Sequence, residues 1–184
     1  MRLCKCLIGL TLFFFICTCS GFKTSKKVRS LTGKKIVFPT ISIYGDIDST
    51  NNSTEANEIA TIVLWFDSTE CSLCRFENLP NIDYVYSYCY DSLPSGSVDV
   101  ITLFSPSKEQ LPLFRNIIET SNLIYPIYLD DNNLFGELNQ FIPKEPQYHS
   151  FLINKDRKIM IVGGPFHNNK MWDLYKTLLN KIVR

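Results

Sequence analysis

Cys71 and Cys74 stand two residues apart, with Ser72 and Leu73 between them. They follow Ile59 to Phe66, a continuous apolar run of the kind expected for a strand buried on both faces. Asp67-Ser68-Thr69-Glu70 reads as a polar turn, which places the pair where a helix would begin. Unpaired N–H groups and partial positive charge at a helix start favour a thiolate over a thiol. The spacing keeps both sulfurs within one helical turn, close enough to close a disulfide or share a metal ion. Dithiol redox chemistry is the leading expectation, with metal binding or a purely structural pair as alternatives. Glu70 lies directly before Cys71, and its charge is expected to raise the Cys71 pKa against the helix dipole. Asp67 is expected to sit exposed in the turn.

The other cysteines sort by position. Cys89 lies 18 residues past Cys71, about 27 Å along a straight helix. It is expected to be a buried free thiol. Cys4, Cys6, Cys17 and Cys19 fall in the N-terminal stretch, where Arg2 and Lys5 precede the apolar run Leu7 to Ile16. Basic, then apolar, then small or polar residues make the pattern of a secretory signal. The run is shorter than the roughly 20 residues a membrane-spanning helix needs. Ile16-Cys17-Thr18-Cys19 is similar to a loose bacterial lipobox with Cys19 as the acylated residue, Thr18 standing where Gly, Ala or Ser is preferred. The expected organisation is a signal over residues 1–18, an anchor cysteine and polar tether over 19–33, and one domain over 34–184. Three cysteines then remain, too few for a disulfide-stapled scaffold.

Composition narrows the class. Hydrophobic residues make up 45% and charged residues 20% of 184, which is ordinary for a globular domain. Net charge is +1, and removal of residues 1–18 leaves seventeen basic against eighteen acidic residues, net −1. No basic stripe is present, so nucleic acid is not an expected partner. No phosphate loop, HExxH or Ser/His/Asp arrangement occurs.

The elements that must position the pair follow from periodicity. Lys34 to Pro39 reads as an edge strand, and Asp46 to Asn57 as a loop carrying the nominal sequon stretch Asn51-Asn52-Ser53-Thr54. Leu73 to Cys89 recurs at helical spacing, with Pro80 expected to kink it and a tyrosine-rich second half spaced by two. Val98 to Phe104 is a strand, Lys108 to Thr120 a helix, Leu123 to Leu129 a strand and Leu134 to Phe141 a short helix. Ser150 to Asn154 and Ile159 to Gly164 form a hairpin, and Asn169 to Val183 is an amphipathic closing helix. Alternation ending in a hairpin and helix predicts an α/β sandwich with a central mixed sheet.

The Trp65-Phe66 strand leading into Cys71-Ser72-Leu73-Cys74, with Pro80 beyond it, resembles the thioredoxin-like superfamily. Phe151-Leu152-Ile153-Asn154-Lys155-Asp156-Arg157-Lys158-Ile159, Gly164-Pro165 and Met171-Trp172-Asp173-Leu174-Tyr175 are similar to exported thioredoxin-like lipoproteins of Bacteroidetes type, the TlpA/AhpC-TSA-like group. The resemblance covers residues 34–184 and implies a three-layer thioredoxin-like sandwich. It implies Cys71 as nucleophile and Cys74 as the resolving thiol, the first more exposed and the second covered. The family's cis-proline position, three residues before Phe151, is Tyr148, with Pro146 two residues earlier. His149 would then face the pair, either as a hydrogen-bonded structural residue or as a third ligand with Cys71 and Cys74 for Cu(I) or Zn²⁺. A peroxiredoxin pattern, Pro-x-x-x-Thr-x-x-Cys, is not met: Thr69 is one residue too close and the proline is missing. His167 is expected to be a loop residue. The implied function is exchange of dithiol for disulfide with protein substrates, without a cofactor beyond the disulfide. The implied setting is a periplasm-facing, lipid-anchored monomer fed by a membrane electron donor. Metal handling and a non-catalytic interaction domain are the alternatives.

Overall fold

The computed structural model describes residues 26–45 and 58–184. The expected signal, the Cys19 anchor and the Asp46 to Asn57 loop with its sequon lie outside the described residues. Within them, a single sheet of six strands runs in the order β1-β4-β3-β2-β5-β6. The strands are β1 (Ser42–Tyr44), β2 (Ala60–Phe66), β3 (Val98–Phe104), β4 (Ile127–Leu129), β5 (Ser150–Asn154) and β6 (Ile159–Val162). β2 pairs parallel with β3 and antiparallel with β5, β3 pairs parallel with β4, and the two outer pairs are antiparallel. The sheet is mixed, as expected.

All of β2 is buried, which is why its sequence shows no polar alternation. Its side chains still divide by the strand period of two. Ile62, Leu64 and Phe66 enter one core with Val85, Tyr86, Phe114, Ile118, Tyr175 and Leu179. Val63 and Trp65 enter a second core with Leu31, Phe135, Tyr148 and Phe151. Helices therefore cover both faces, giving the three-layer α/β sandwich. The main helices are α1 (Ser72–Glu77), α2 (Asp83–Ser87), α3 (Leu111–Thr120), α4 (Leu134–Leu138) and α5 (Asn169–Ile182).

Proline sets several boundaries. Pro80 sits in a 3₁₀ turn, Leu79–Ile82, that separates α1 from α2, so the expected kink is a full break. After α2 the chain widens into a π turn, Tyr88–Ser92, which carries Cys89 into the core as a free thiol. Pro126 lacks a ladder donor, and β4 begins only after it, shorter than the expected Leu123 to Leu129.

The edge differs most from expectation. Lys34 to Pro39 makes one bridge, Lys35 to Lys158, with a few backbone hydrogen bonds to residues 157–159, but is not a strand, and the edge strands are β1 and β6. The reason is a side chain. Val37 N–H donates to Asn139 Oδ1 at 2.9 Å, and Asn139 Nδ2 donates to the Val37 carbonyl at 2.8 Å, so an amide takes the place of a strand partner. Ahead of it, residues 26–31 are helical and Leu31 is buried, so the packed domain takes in part of the segment expected as tether.

Candidate active site

The chain leaves β2 at Phe66 and turns at Asp67. Asp67 Oδ1 accepts from the Thr69 N–H at 3.0 Å and from Thr69 Oγ1 at 2.6 Å, while Glu70 N–H closes back on the Asp67 carbonyl. Asp67 is thus buried, not exposed as expected, because its carboxylate is used inside the turn. Cys71 then caps α1 with extended backbone, and the Cys74 N–H donates to Cys71 Sγ at 3.2 Å. In the reduced protein the same N–H would meet the Cys71 thiolate and stabilise it. Ser72 N–H donates to Gln110 Oε1 at 3.1 Å, fixing the start of α1 against the residue that precedes α3.

Cys71 and Cys74 are joined in a disulfide with a Cα–Cα distance of 5.3 Å. Both are exposed, so the expected cover over Cys74 is absent. The helical turn explains this: Leu73 and Phe76 take the inward positions against the core, which leaves Cys74 on the solvent side.

Glu70 turns inward, away from solvent. Arg75 reaches back from α1 to Glu70 Oε2, with Nε at 2.7 Å and Nη2 at 2.6 Å. Burial alone would raise the Glu70 pKa, but the neighbouring His149 ring and the positive charge of Arg75 outweigh it and hold the carboxyl below its usual value. The charge beside Cys71 is therefore compensated within the same short segment.

Tyr148 and His149 close a 3₁₀ turn, Pro146–Tyr148, just before β5. No peptide bond is cis among the described residues. The Tyr148 side chain is buried in the second core, with Lys27 Nζ 5.5 Å from its ring centre. His149 is 1% exposed and packs against Trp65, with ring centres 4.4 Å apart and the planes tilted by 36°. Its Nε2 lies 2.8 Å from the Pro143 carbonyl, and its Nδ1 faces Glu70 Oε1 at 3.8 Å. His149 carbonyl accepts from the Trp65 N–H at 3.0 Å, which ties this turn to β2. The ligand-type atoms gathered around His149 are those of Asp67 and Glu70, all within 4.8 Å of one another. Sequence reasoning named each of these three residues but not their meeting, since no local pattern links positions 67 and 70 to 149. Trp65 is anchored at its other end, where Nε1 donates to Ser105 Oγ at 3.0 Å, and Ser105 Oγ in turn lies 3.2 Å from Asp130 Oδ2. Asp130 also accepts the N–H groups of Leu134 and Phe135 at the start of α4. His167 sits in its turn with Nδ1 3.0 Å from the Gly164 carbonyl, a loop residue as expected.

A parallel β2–β3 core, an antiparallel β2–β5–β6 flank and a CxxC disulfide directly after the central strand define a thioredoxin-like fold. No family model and no curated protein matches the chain. Among solved structures it is similar to the thioredoxin domain of a thiol-disulfide oxidoreductase from Bacteroides vulgatus, at 15% identity and TM-score 0.49, covering 81% of this chain and 98% of that one. It is also similar to the exposed lipoprotein thioredoxin of Streptococcus pneumoniae, at 16% identity and TM-score 0.46, covering 77% and 99%. A third is StoA from Bacillus subtilis, at 23% identity and TM-score 0.43, covering 74% and 98%. These similarities are distant. The fold assignment rests on this chain's own strand order and register.

Proposed function

We propose that the protein is a thiol-disulfide oxidoreductase of the bacterial cell envelope that acts on protein disulfides. The observation that carries this reading is the exposed Cys71–Cys74 disulfide at the start of α1, directly after the central strand. In the reduced form the Cys71 thiolate attacks one sulfur of a substrate disulfide, forming a mixed disulfide and releasing the other substrate sulfur as a thiolate. Cys74, deprotonated, then attacks Cys71 Sγ and frees the second substrate sulfur. The substrate gains two electrons and two protons, and the Cys71–Cys74 disulfide is regenerated. A membrane-bound dithiol donor returns it to the reduced state. Residues 1–18 direct export and Cys19 carries the lipid anchor. Tyr148 and His149 border the substrate-facing loop, where the thioredoxin-like pattern would have its proline.

The test is an equilibrium redox titration of the full-length protein, read by alkylation mass shift. A reversible two-electron transition of Cys71 and Cys74 is expected between about −120 and −300 mV, the span of known thiol oxidoreductases. Failure to open and close the disulfide across that range overturns the reading.

A further inference from the structure

We propose that Asp67, Glu70 and His149 form a binding site for one divalent transition-metal ion of the Zn²⁺ class, next to the cysteine pair but independent of it.

The three residues reach one point from two separate segments, the turn after β2 and the 3₁₀ turn before β5. All three are buried, and their ligand atoms lie within 4.8 Å of one another. Two buried carboxylates require positive charge nearby. Arg75 meets Glu70 through Oε2, which leaves Oε1 turned toward His149.

The histidine is the decisive observation. A carbonyl oxygen only accepts, so the 2.8 Å contact with Pro143 places the proton of a neutral imidazole on Nε2. Nδ1 then presents a lone pair toward a carboxylate oxygen 3.8 Å away. Two acceptors face each other, and Nδ1 has no hydrogen-bond partner among the described residues. The separation is too long for a hydrogen bond. It matches two ligands sharing one ion at about 2.0–2.2 Å each. At tetrahedral angles the same bond lengths put two ligands about 3.4 Å apart, so a pair at the 4.8 Å limit would have to close by up to about 1.4 Å for the third bond to form.

The surroundings suit the same purpose. A metal-ligating histidine almost always donates its other ring N–H to a carbonyl or carboxylate, which fixes the tautomer. The Trp65 ring covers one face of the imidazole and limits its rotation. Two carboxylate oxygens and one imidazole nitrogen, without sulfur, select a borderline divalent ion over Cu(I).

The site is tested on full-length protein with the Cys71–Cys74 disulfide closed and every thiol that reacts under native conditions alkylated, so that no reactive thiolate contributes. Co²⁺ serves as the spectroscopic probe and Zn²⁺ as the competitor. One Co²⁺ per chain is expected, with visible d–d absorption, no thiolate charge-transfer band, and displacement by Zn²⁺. Glu70→Gln and His149→Gln should each weaken binding at least about tenfold, since even outer-shell changes cost that much. The Cys71→Ser/Cys74→Ser double variant should bind like the wild type. The absence of saturable binding to the wild-type chain overturns the proposal, whatever becomes of the variants. So does binding that survives both Glu70→Gln and His149→Gln in folded protein. Neither outcome touches the redox titration of the cysteines, so the two readings stand or fall separately.

Discussion

Arg75 holds Glu70 Oε2 from two atoms, Nε at 2.7 Å and Nη2 at 2.6 Å, so the acid directly before Cys71 is neutralised by a residue directly after Cys74. The sequence alone suggests a charge that opposes thiolate formation. The folded chain contains a compensated pair, one member buried and the other about half exposed.

Removal of Arg75 should therefore act on Cys71. In Arg75→Ala the Glu70 carboxylate loses its guanidinium partner, and the Cys71 thiolate is expected to be less favoured. The pH profile of Cys71 alkylation in reduced protein should move upward, with the rate at neutral pH falling by about two- to tenfold, since tenfold corresponds to one pKa unit. Glu70→Gln added to Arg75→Ala should restore the profile. If the double variant stays slow, the effect does not run through Glu70. Arg75 is half exposed and screened, so the ion pair itself contributes about 1 kcal/mol or less, and leaving the buried Glu70 carboxylate unpaired adds to that loss.

Glu70 also sets an acid limit. Its pKa is held below the ordinary carboxylate value in the folded state, so the unfolded chain binds that proton more readily. The stabilisation is present above the unfolded value of about 4.3 and is lost as pH falls through the folded value. Urea midpoints measured from pH 6 down to pH 3 should fall, and the fall should be shallower in Glu70→Gln. An identical slope in the variant would assign the acid loss to other groups.

Cys89 should be chemically silent in the native state. Burial, aided by the charge of Asp99, pushes its thiol up to about 12. After reduction, alkylation at pH 8 should label Cys71 and Cys74 and leave Cys89 unmodified until denaturant is added. Rapid native labelling of Cys89 would mean that the π turn opens far more readily than its packing implies.

Asn139 is expected to be a structural anchor out of proportion to its size. It is 1% exposed and bonds to both backbone groups of Val37 and to the Phe135 carbonyl. Asn139→Leu should cost about 1–2 kcal/mol, because it leaves part-buried backbone groups without their partner. Hydrogen exchange at the Val37 amide should rise selectively, while exchange in β2 stays slow at matched stability. Uniform acceleration across both would remove the specific role.

The contrast between β2 and the Val37 segment shows what was legible. β2 carries its own signal as a continuous apolar run, because it is buried on both faces, and α5 carries one as an apolar stripe, because burial along one helix face imposes a spacing on the residues. Pro80 and Pro126 could also be read locally, since a missing N–H acts wherever the residue sits. Lys34 to Pro39 looks like a strand by composition, and its first half does bond to the backbone of residues 157–159, but at Val37 an asparagine side chain takes the place of the next backbone partner.

The sequence by itself determined the α/β class, the central buried strand, the CxxC pair at the start of a helix and the buried Cys89, because each depends on the order and spacing of near neighbours. Only the tertiary structure decided that Asp67 is buried, that Cys74 is open to solvent, that Arg75 neutralises Glu70, and that His149 turns an unpartnered nitrogen toward Glu70. These depend on which distant segments the sheet brings together. β5 lies antiparallel beside β2, and that pairing sets the turn before β5 against the turn after β2. The resulting electrostatics belong to the meeting of the two segments, and neither segment encodes them alone.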